Sequence, residues 1–282
     1  MSYDTIQDPA GTGLTQRSVL QFVGSSGATD VAVTDDAGNS RTIVSIPTPG
    51  ILQYHDTTHS PVGLWQLNGS LSDSSGNGNT LTVDTGTARY VDIVPGKLAH
   101  FFDGSTRLIV SSFVSALAIA GDMTVEFFLQ LDSDPTVGPS VFAHDASGET
   151  SGANALYSMD FTSSTNKTPR WFSEHGSGTD DTFTVSAPSG LPPIHNVGHV
   201  AIVRSSNTIQ FYWNGRTLGS ASSALTTPDG GSSGRLRIGG SASNTISRCL
   251  ICSFKIIASA LSANDVKAEY NRTLGPLYGI LP

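Results

Sequence analysis

The sequence predicts an all-β protein, a two-sheet sandwich preceded by a small N-terminal β-meander. Three observations predict it. Met123, Val125, Phe127, Leu129 and Leu131 fall on one face of a run whose other face carries Thr124, Glu126, Phe128 and Gln130, the period-two mark of a sheet buried mainly on one side. Ile209, Phe211 and Trp213 repeat the pattern and lead into Asn214-Gly215, the dipeptide that a type I′ hairpin turn favours because both central residues take positive φ. The composition, with 30 glycines, 13% charged and 38% hydrophobic residues, suits short strands joined by many turns.

In chain order, residues 1–50 stand apart. Ser18–Val23 and Val31–Thr34 are short strand patterns, Asp35–Asn39 is a turn, Arg41–Ile46 is a third strand, and Pro47 and Pro49 close the unit. Three short strands have too little area for independent stability, so this meander must dock on something. The expected organisation is a 1–50 module for attachment or oligomerisation, a 51–61 linker, a sandwich over 62–271 and a 272–282 tail. Near the end, Ser262 caps a helix of one or two turns with Asp265 three residues on, and Leu261 and Val266 occupy the positions of a hydrophobic staple. Cys249 and Cys252 lie on a strand pattern. Extended geometry points them to opposite faces with Cα atoms about 10 Å apart, too far for a disulfide, so both read as free thiols.

A net charge of −8 repels phosphate backbones, which argues against nucleic acid as a partner. No stretch approaches the roughly 18 apolar residues of a spanning helix, and Met1-Ser2-Tyr3-Asp4 opens without the basic and apolar regions of an export signal. Neither membrane insertion nor secretion is expected.

Gly63–Gly69, Asp73–Gly78, Ala99–Ser105, the Met123–Leu131 strand, Gly198–Arg204, Phe211–Gly215, Leu236–Gly240 and Leu261–Val266, taken in that order, resemble the laminin-G-like, concanavalin A-type lectin jelly roll over some 210 residues. The resemblance implies two curved antiparallel sheets, with ligands met at the concave face or on the rim loops. It also implies an acidic residue, a ligand of a structural calcium, in the strand after Ile238-Gly239-Gly240. Here that strand is Cys249–Phe254, without a carboxylate, and calcium needs six to eight oxygens, several of them anionic. No cofactor is therefore expected, and Asp73 and Asn77 are the weak calcium candidates. A second resemblance covers residues 20–42, which look like a small β-module of tailed-bacteriophage virion proteins, fibres and head appendages especially.

Catalytic constellations do not assemble in the sequence. Hydrolysis of a glycosidic bond needs two carboxylates about 5 to 10 Å apart, and the same-face neighbours of Glu126 are Phe128 and Gln130. Asp35-Asp36 and Asp180-Asp181 are adjacent pairs that point apart on extended chain and read as turn residues. His195 and His199 carry a metal-like spacing without a cysteine pair or a zinc-binding helix. Trp65, Trp213 and Phe102 read as core. Either Trp171 or Phe172 must face away from the core. An outward Trp171 flanked by Arg170, Glu174 and Asp180 is what the face of a sugar ring stacks against. Those four residues form the candidate glycan-binding set.

The expected function is thus a non-enzymatic bacteriophage surface protein, a fibre, spike or head-decoration appendage assembled in the host cytoplasm. Residues 1–50 meet other virion proteins and build a homo-oligomer, a trimer being the first expectation, while the sandwich meets a cell-surface glycan. The alternatives are an accessory domain of a secreted carbohydrate-active protein and a purely structural virion module.

Overall fold

Among the described residues, strand-forming segments recur along the chain and a single α-helix interrupts them. The computed structural model describes residues 32–36, 41–45, 58–94, 97–132, 140–145, 155–161, 168–175, 179–184, 195–206, 208–222, 234–242 and 248–272. The chain divides into two units, Met1–Leu52 and Gln53–Pro282. In the first, β1 (Ala32–Asp36) pairs antiparallel with β2 (Arg41–Ser45), Ala32 opposite Ser45 and Asp36 opposite Arg41. Asp35 and Asp36 therefore belong to a strand, where a turn was expected. The expected strand at Ser18–Val23 lies outside the described residues.

The second unit contains β3 (Gly63–Trp65), β4 (Leu81–Thr85), β5 (Tyr90–Val94), β6 (Lys97–Phe102), β7 (Arg107–Val110), β8 (Met123–Leu131), β9 (Phe142–Asp145), β10 (Ala155–Phe161), β11 (Pro169–His175) and β12 (Thr179–Thr184). It continues with β13 (Gly198–Ser205), β14 (Thr208–Trp213), β15 (Arg216–Ser222), β16 (Leu236–Ile238), β17 (Cys249–Ile257) and α1 (Ala263–Arg272). A seven-stranded sheet runs β12-β11-β10-β9-β16-β7-β4. An eight-stranded sheet runs β15-β14-β13-β8-β17-β6-β5, with β3 added against β17. All their pairings are antiparallel. The core lies between the sheets: Phe102, Met123, Val125, Phe127, Leu129 and Phe254 from one meet Leu108, Phe142, Tyr157, Met159, Trp171 and Phe183 from the other. Trp65 and Phe102 are fully buried in it, and Trp213 is half-buried against it.

The β14–β15 hairpin turns on Asn214 (φ 50°) and Gly215 (φ 70°), as the dipeptide predicts. At the start of α1 the Ser262 Oγ accepts from the Asp265 N–H (3.2 Å), while the Ser262 N–H donates back to Asp265 Oδ2 (3.2 Å). That is a reciprocal capping box, and it satisfies donors a helix start otherwise leaves open. The helix runs ten residues, longer than the one or two turns expected, because Val266, Glu269 and Tyr270 bury themselves beneath it. Leu261 and Val266 pack there with Ala201, Val203, Tyr212 and Ile257.

That packing corrects the expectation of a sheet buried mainly on one side. Thr124, Glu126 and Phe128 on the outer face of β8 are as buried as the core face. In β17, Cys249 and Ile251 face the main core, whereas Cys252 joins Ala99, Phe101, Phe128 and Leu250 on the outer face. Both thiols are free and buried. A bulge at Ser253 (φ 48°) then resets the alternation, so that Phe254 and Ile256 return to the core and Lys255 points outward. Residues at the end of the expected linker are docked as well, since Arg272 Nη1 donates to Thr58 Oγ1 (3.0 Å) and His59 Nδ1 lies 3.2 Å from Glu269 Oε1.

Candidate functional site

The register of the seven-stranded sheet places one residue of every strand in a row on its outer face: Thr82, Ile109, Arg237, Ala143, Ser158, Phe172 and Thr182. The row changes character along its length. Ile109, Arg237, Ala143 and Ser158 are buried, while Phe172 is half-buried and Thr182 exposed. Thr82, at the opposite end of the row, is exposed as well, so the row is accessible at both ends, and its one aromatic, Phe172, lies at the β10–β12 end.

The structure decides the Trp171–Phe172 ambiguity, and it corrects the candidate set. Trp171 is fully buried, stacked on Tyr157 (ring centroids 5.9 Å, interplanar 12°) and edge-on to Phe142 (6.3 Å, 67°). Its same-face register neighbours, Met159 and Phe183, belong to the same core. Three strands of matched apolar residues hold the indole inside, and the outward aromatic is Phe172. Arg170 does stand on the outer face. Its Nε donates to Asp160 Oδ1 at 2.8 Å, and its Nη2 meets Asp160 Oδ2 in the second arm of the same fork. The hydrogen bonds Arg170 donates to the Asp160 carboxylate raise its pKa against the opposing effect of burial. Glu174 and Asp180 are direct register partners on β11 and β12. Asp180 and Asp181 thus lie in an edge strand, not in the polar loop expected of them.

Behind this end the face is tied by a second ion network. Arg107 Nε donates to Asp84 Oδ2 (2.6 Å), Arg237 Nε shares the same oxygen (3.2 Å), and Arg237 Nη1 pairs with Asp145 Oδ2. Burial pulls the Arg237 pKa down, with Asp84 opposing it. Four charged residues locked to one another form a rigid platform rather than a binding surface. The strip left for a ligand is Phe172, Thr182, Thr184 and the Arg170–Asp160 fork. An aromatic face beside planar donors and a carboxylate recognises an amphipathic ring with hydroxyls on its edge. Asp160, Thr182 and Thr184 are the members that sequence reasoning missed, and Phe172 is the aromatic it left open against Trp171. The alternation Tyr157, Met159, Phe161 was the available signal that Ser158 and Asp160 face outward.

The remaining sequence candidates do not join this strip. Asp73 is a loop pin: its Oδ1 accepts from the N–H groups of Leu64 (3.0 Å) and Ser75 (2.8 Å), and its Oδ2 from Asn79 (2.8 Å). The Asn77 amide donates to the carbonyls of Pro61 and Val62 and to Ser75 Oγ. His195 is exposed and 3.8 Å from Asp132, whereas His199 is fully buried, so the two do not share a site. Burial, aided by Lys255, pushes the His199 pKa down to about 3. Glu126 is fully buried under α1, with His199 Nε2 at 3.8 Å and Lys255 Nζ at 3.9 Å, and Lys255 Nζ is in turn 3.1 Å from Glu269. Among the described residues no three His, Cys, Asp or Glu side chains gather as a metal site, and no helix is long and apolar enough to cross a membrane.

No curated protein sequence matches the chain. Among solved structures, the binding domain of botulinum neurotoxin DC in complex with rat synaptotagmin II superposes with a TM-score of 0.57 at 16% identity, over 77% of this chain and 52% of that one. A botulinum neurotoxin type C structure, whose title makes cell entry dependent on two ganglioside molecules, gives 0.56 at 16% identity over 75% and 51%. The chain thus spans about half the length of these toxin domains. Domain 4 of AbnA, an extracellular arabinanase of Geobacillus stearothermophilus in complex with arabinotriose, gives 0.53 at 14% identity over 75% of this chain and 98% of that one. At such identities the likeness is one of fold. The family model described as the concanavalin A-like lectin/glucanases superfamily matches residues 102–267, more than half of the chain, with both sheets running through the match, and the protein belongs to that superfamily.

Proposed function

We propose that this is a non-enzymatic surface protein of a bacteriophage virion whose sandwich binds a glycan on a host or environmental surface. The observation that carries the binding half is the outward Phe172 beside the Arg170–Asp160 fork, an apolar ring next to fixed polar groups on an accessible sheet face. Fold relatives captured with arabinotriose, or described as depending on gangliosides, support a carbohydrate on this scaffold. Glu126, sealed beneath α1 beside Lys255, is closed to any substrate, which favours binding over hydrolysis. The virion half rests on the pattern of residues 20–42 and on multivalency. A single shallow sugar site of millimolar affinity is worth about 4 kcal/mol, and several copies on one particle raise avidity by roughly 10² to 10⁴. Residues 1–50 then serve as the attachment and trimerisation element, covering the apolar face a short meander leaves open.

Glycan-array binding by the full chain and by Phe172→Ala tests the site. The variant should lose roughly tenfold in affinity, the scale of one aromatic contact, at an unchanged melting temperature. A wild-type protein silent on every glycan and on host cells would leave a structural appendage. Light scattering should show a trimer that becomes a monomer when residues 1–50 are removed. The match to nearly all of the arabinanase domain favours a second reading, an accessory domain of a secreted carbohydrate-active protein. Mass spectrometry finding the chain in culture supernatant but not in purified particles would select it.

A further inference from the structure

On the outer face of the eight-stranded sheet, away from α1, one phenylalanine carries two guanidinium groups. The Cζ atoms of Arg89 and Arg248 each lie 5.2 Å from the centre of the Phe101 ring. Backbone pairing fixes this convergence. The Phe101 N–H donates to the Arg89 carbonyl (2.8 Å), Phe101 pairs with Leu250 two residues beyond Arg248, and the Asp132 N–H donates to the Arg248 carbonyl (3.1 Å). Both arginines are exposed, and the ring beneath them is 7% exposed.

The charges at this end of the sheet do not balance. Arg248 Nε donates to Asp132 Oδ2 (2.8 Å), which also faces His195 at 3.8 Å. Arg89 makes no ion pair among the described residues; the face of the Phe101 ring is what holds it. Two cations are therefore gathered against one carboxylate, with most of their N–H donors turned to water. The planar fork of a guanidinium matches a carboxylate in two-point contact. The protein as a whole carries −8. A polyanion or an anionic membrane would meet that field over its whole length. A single carboxylate within about one Debye length, roughly 8 Å at physiological salt, feels mainly the local pair.

We infer that Arg89 and Arg248, presented on Phe101, form a subsite for the carboxylate of an acidic sugar. The assignment rests on the glycan-binding reading above and deepens it by naming the ligand class. It also places a second contact region on the sheet opposite Phe172.

The full chain titrated with methyl β-D-glucuronide and methyl β-D-glucoside, identical rings apart from the carboxylate, tests it by NMR shift perturbation. The glucuronide should bind at least about tenfold tighter, with shifts at Arg89, Phe101 and Arg248. Arg89→Gln should abolish the preference and Arg89→Lys retain part of it, both at the wild-type melting temperature because Arg89 is exposed. Equal binding of the two sugars, a preference that survives Arg89→Gln, or binding of neither overturns the inference. Sodium acetate binding as tightly as the glucuronide would show a bare anion site and overturn it as well. Glucoside binding that is lost in Phe172→Ala, without a glucuronide preference, would leave the glycan-binding reading standing and this one refuted.

Discussion

Replacing Trp171 by alanine separates a core tryptophan from a sugar-stacking one. A buried indole removes about 200 Å² from water, worth about 5 kcal/mol at roughly 25 cal/mol per Å². Part of that remains with the alanine methyl, and the two ring contacts to Tyr157 and Phe142 are lost, so the net cost should be about 3 to 5 kcal/mol. Against a total stability of about 5 to 15 kcal/mol this is severe. At a urea m-value near 3 kcal/mol/M it moves the midpoint down by about 1 to 1.7 M. Trp171→Phe offers an internal control. The indole Nε1 has no hydrogen-bond partner, and a buried orphan donor carries a penalty of about 1 to 3 kcal/mol. Phenylalanine removes that donor while keeping most of the ring, so it should cost less than about 1.5 kcal/mol. A Trp171→Ala protein with the wild-type midpoint and impaired glycan binding would refute the burial argument and restore Trp171 to the binding set.

Three further outcomes are expected. Lys255→Met should cost about 3 to 5 kcal/mol in chemical denaturation, since it takes from the buried Glu126 the cation it shares with Glu269, which Arg272 still meets; a wild-type midpoint would show that Lys255 does not hold this cluster together. Burial lowers the pKa of His100 to about 4, of His144 to about 4 and of His199 to about 3. The unfolded chain therefore takes up protons below about pH 6.5 that the fold refuses, and stability should fall from pH 6.5 towards 4 by up to about 1.4 kcal/mol per pH unit for each histidine. A melting temperature flat over that window would contradict this. Asp73→Ala should lower stability by about 2 to 4 kcal/mol through three backbone N–H groups left without their acceptor, while EDTA leaves the wild-type melting temperature nearly unchanged. A ten-degree drop on chelation would reveal a structural cation.

What the sequence disclosed was what local chemistry decides. Asn214-Gly215 and the Ser262–Asp265 box are each written in a few adjacent residues, and the structure forms both. The alternation in Met123–Leu131 gave β8 its bounds but not what covers its second face, because the cover comes from distant parts of the chain, α1 over Glu126 and Ala99, Phe101 and Leu250 around Phe128. The same two-fold alternation left Trp171 and Phe172 interchangeable. The choice is made across the sheet, where Met159 and Phe183 continue the core. The Arg170–Asp160 fork bridges two strands, so neither residue announces the other along the chain. Asp180-Asp181 has turn chemistry, yet sits in a sheet-edge strand, where residues of low strand propensity are admitted. At Ser253 a single residue in the left-handed region breaks the period on which every face assignment in β17 depends.

The docking of Thr58 and His59 on α1 gives the sandwich a front and a back. The polypeptide enters through β3, at the edge of β17, and is fastened to the helix that roofs the eight-stranded sheet. The outer face of the seven-stranded sheet, with Phe172 and the Arg170–Asp160 fork, lies on the opposite side. Within the sandwich, the chain at Thr58 and His59 is thus anchored on the side of α1, across the two sheets from Phe172.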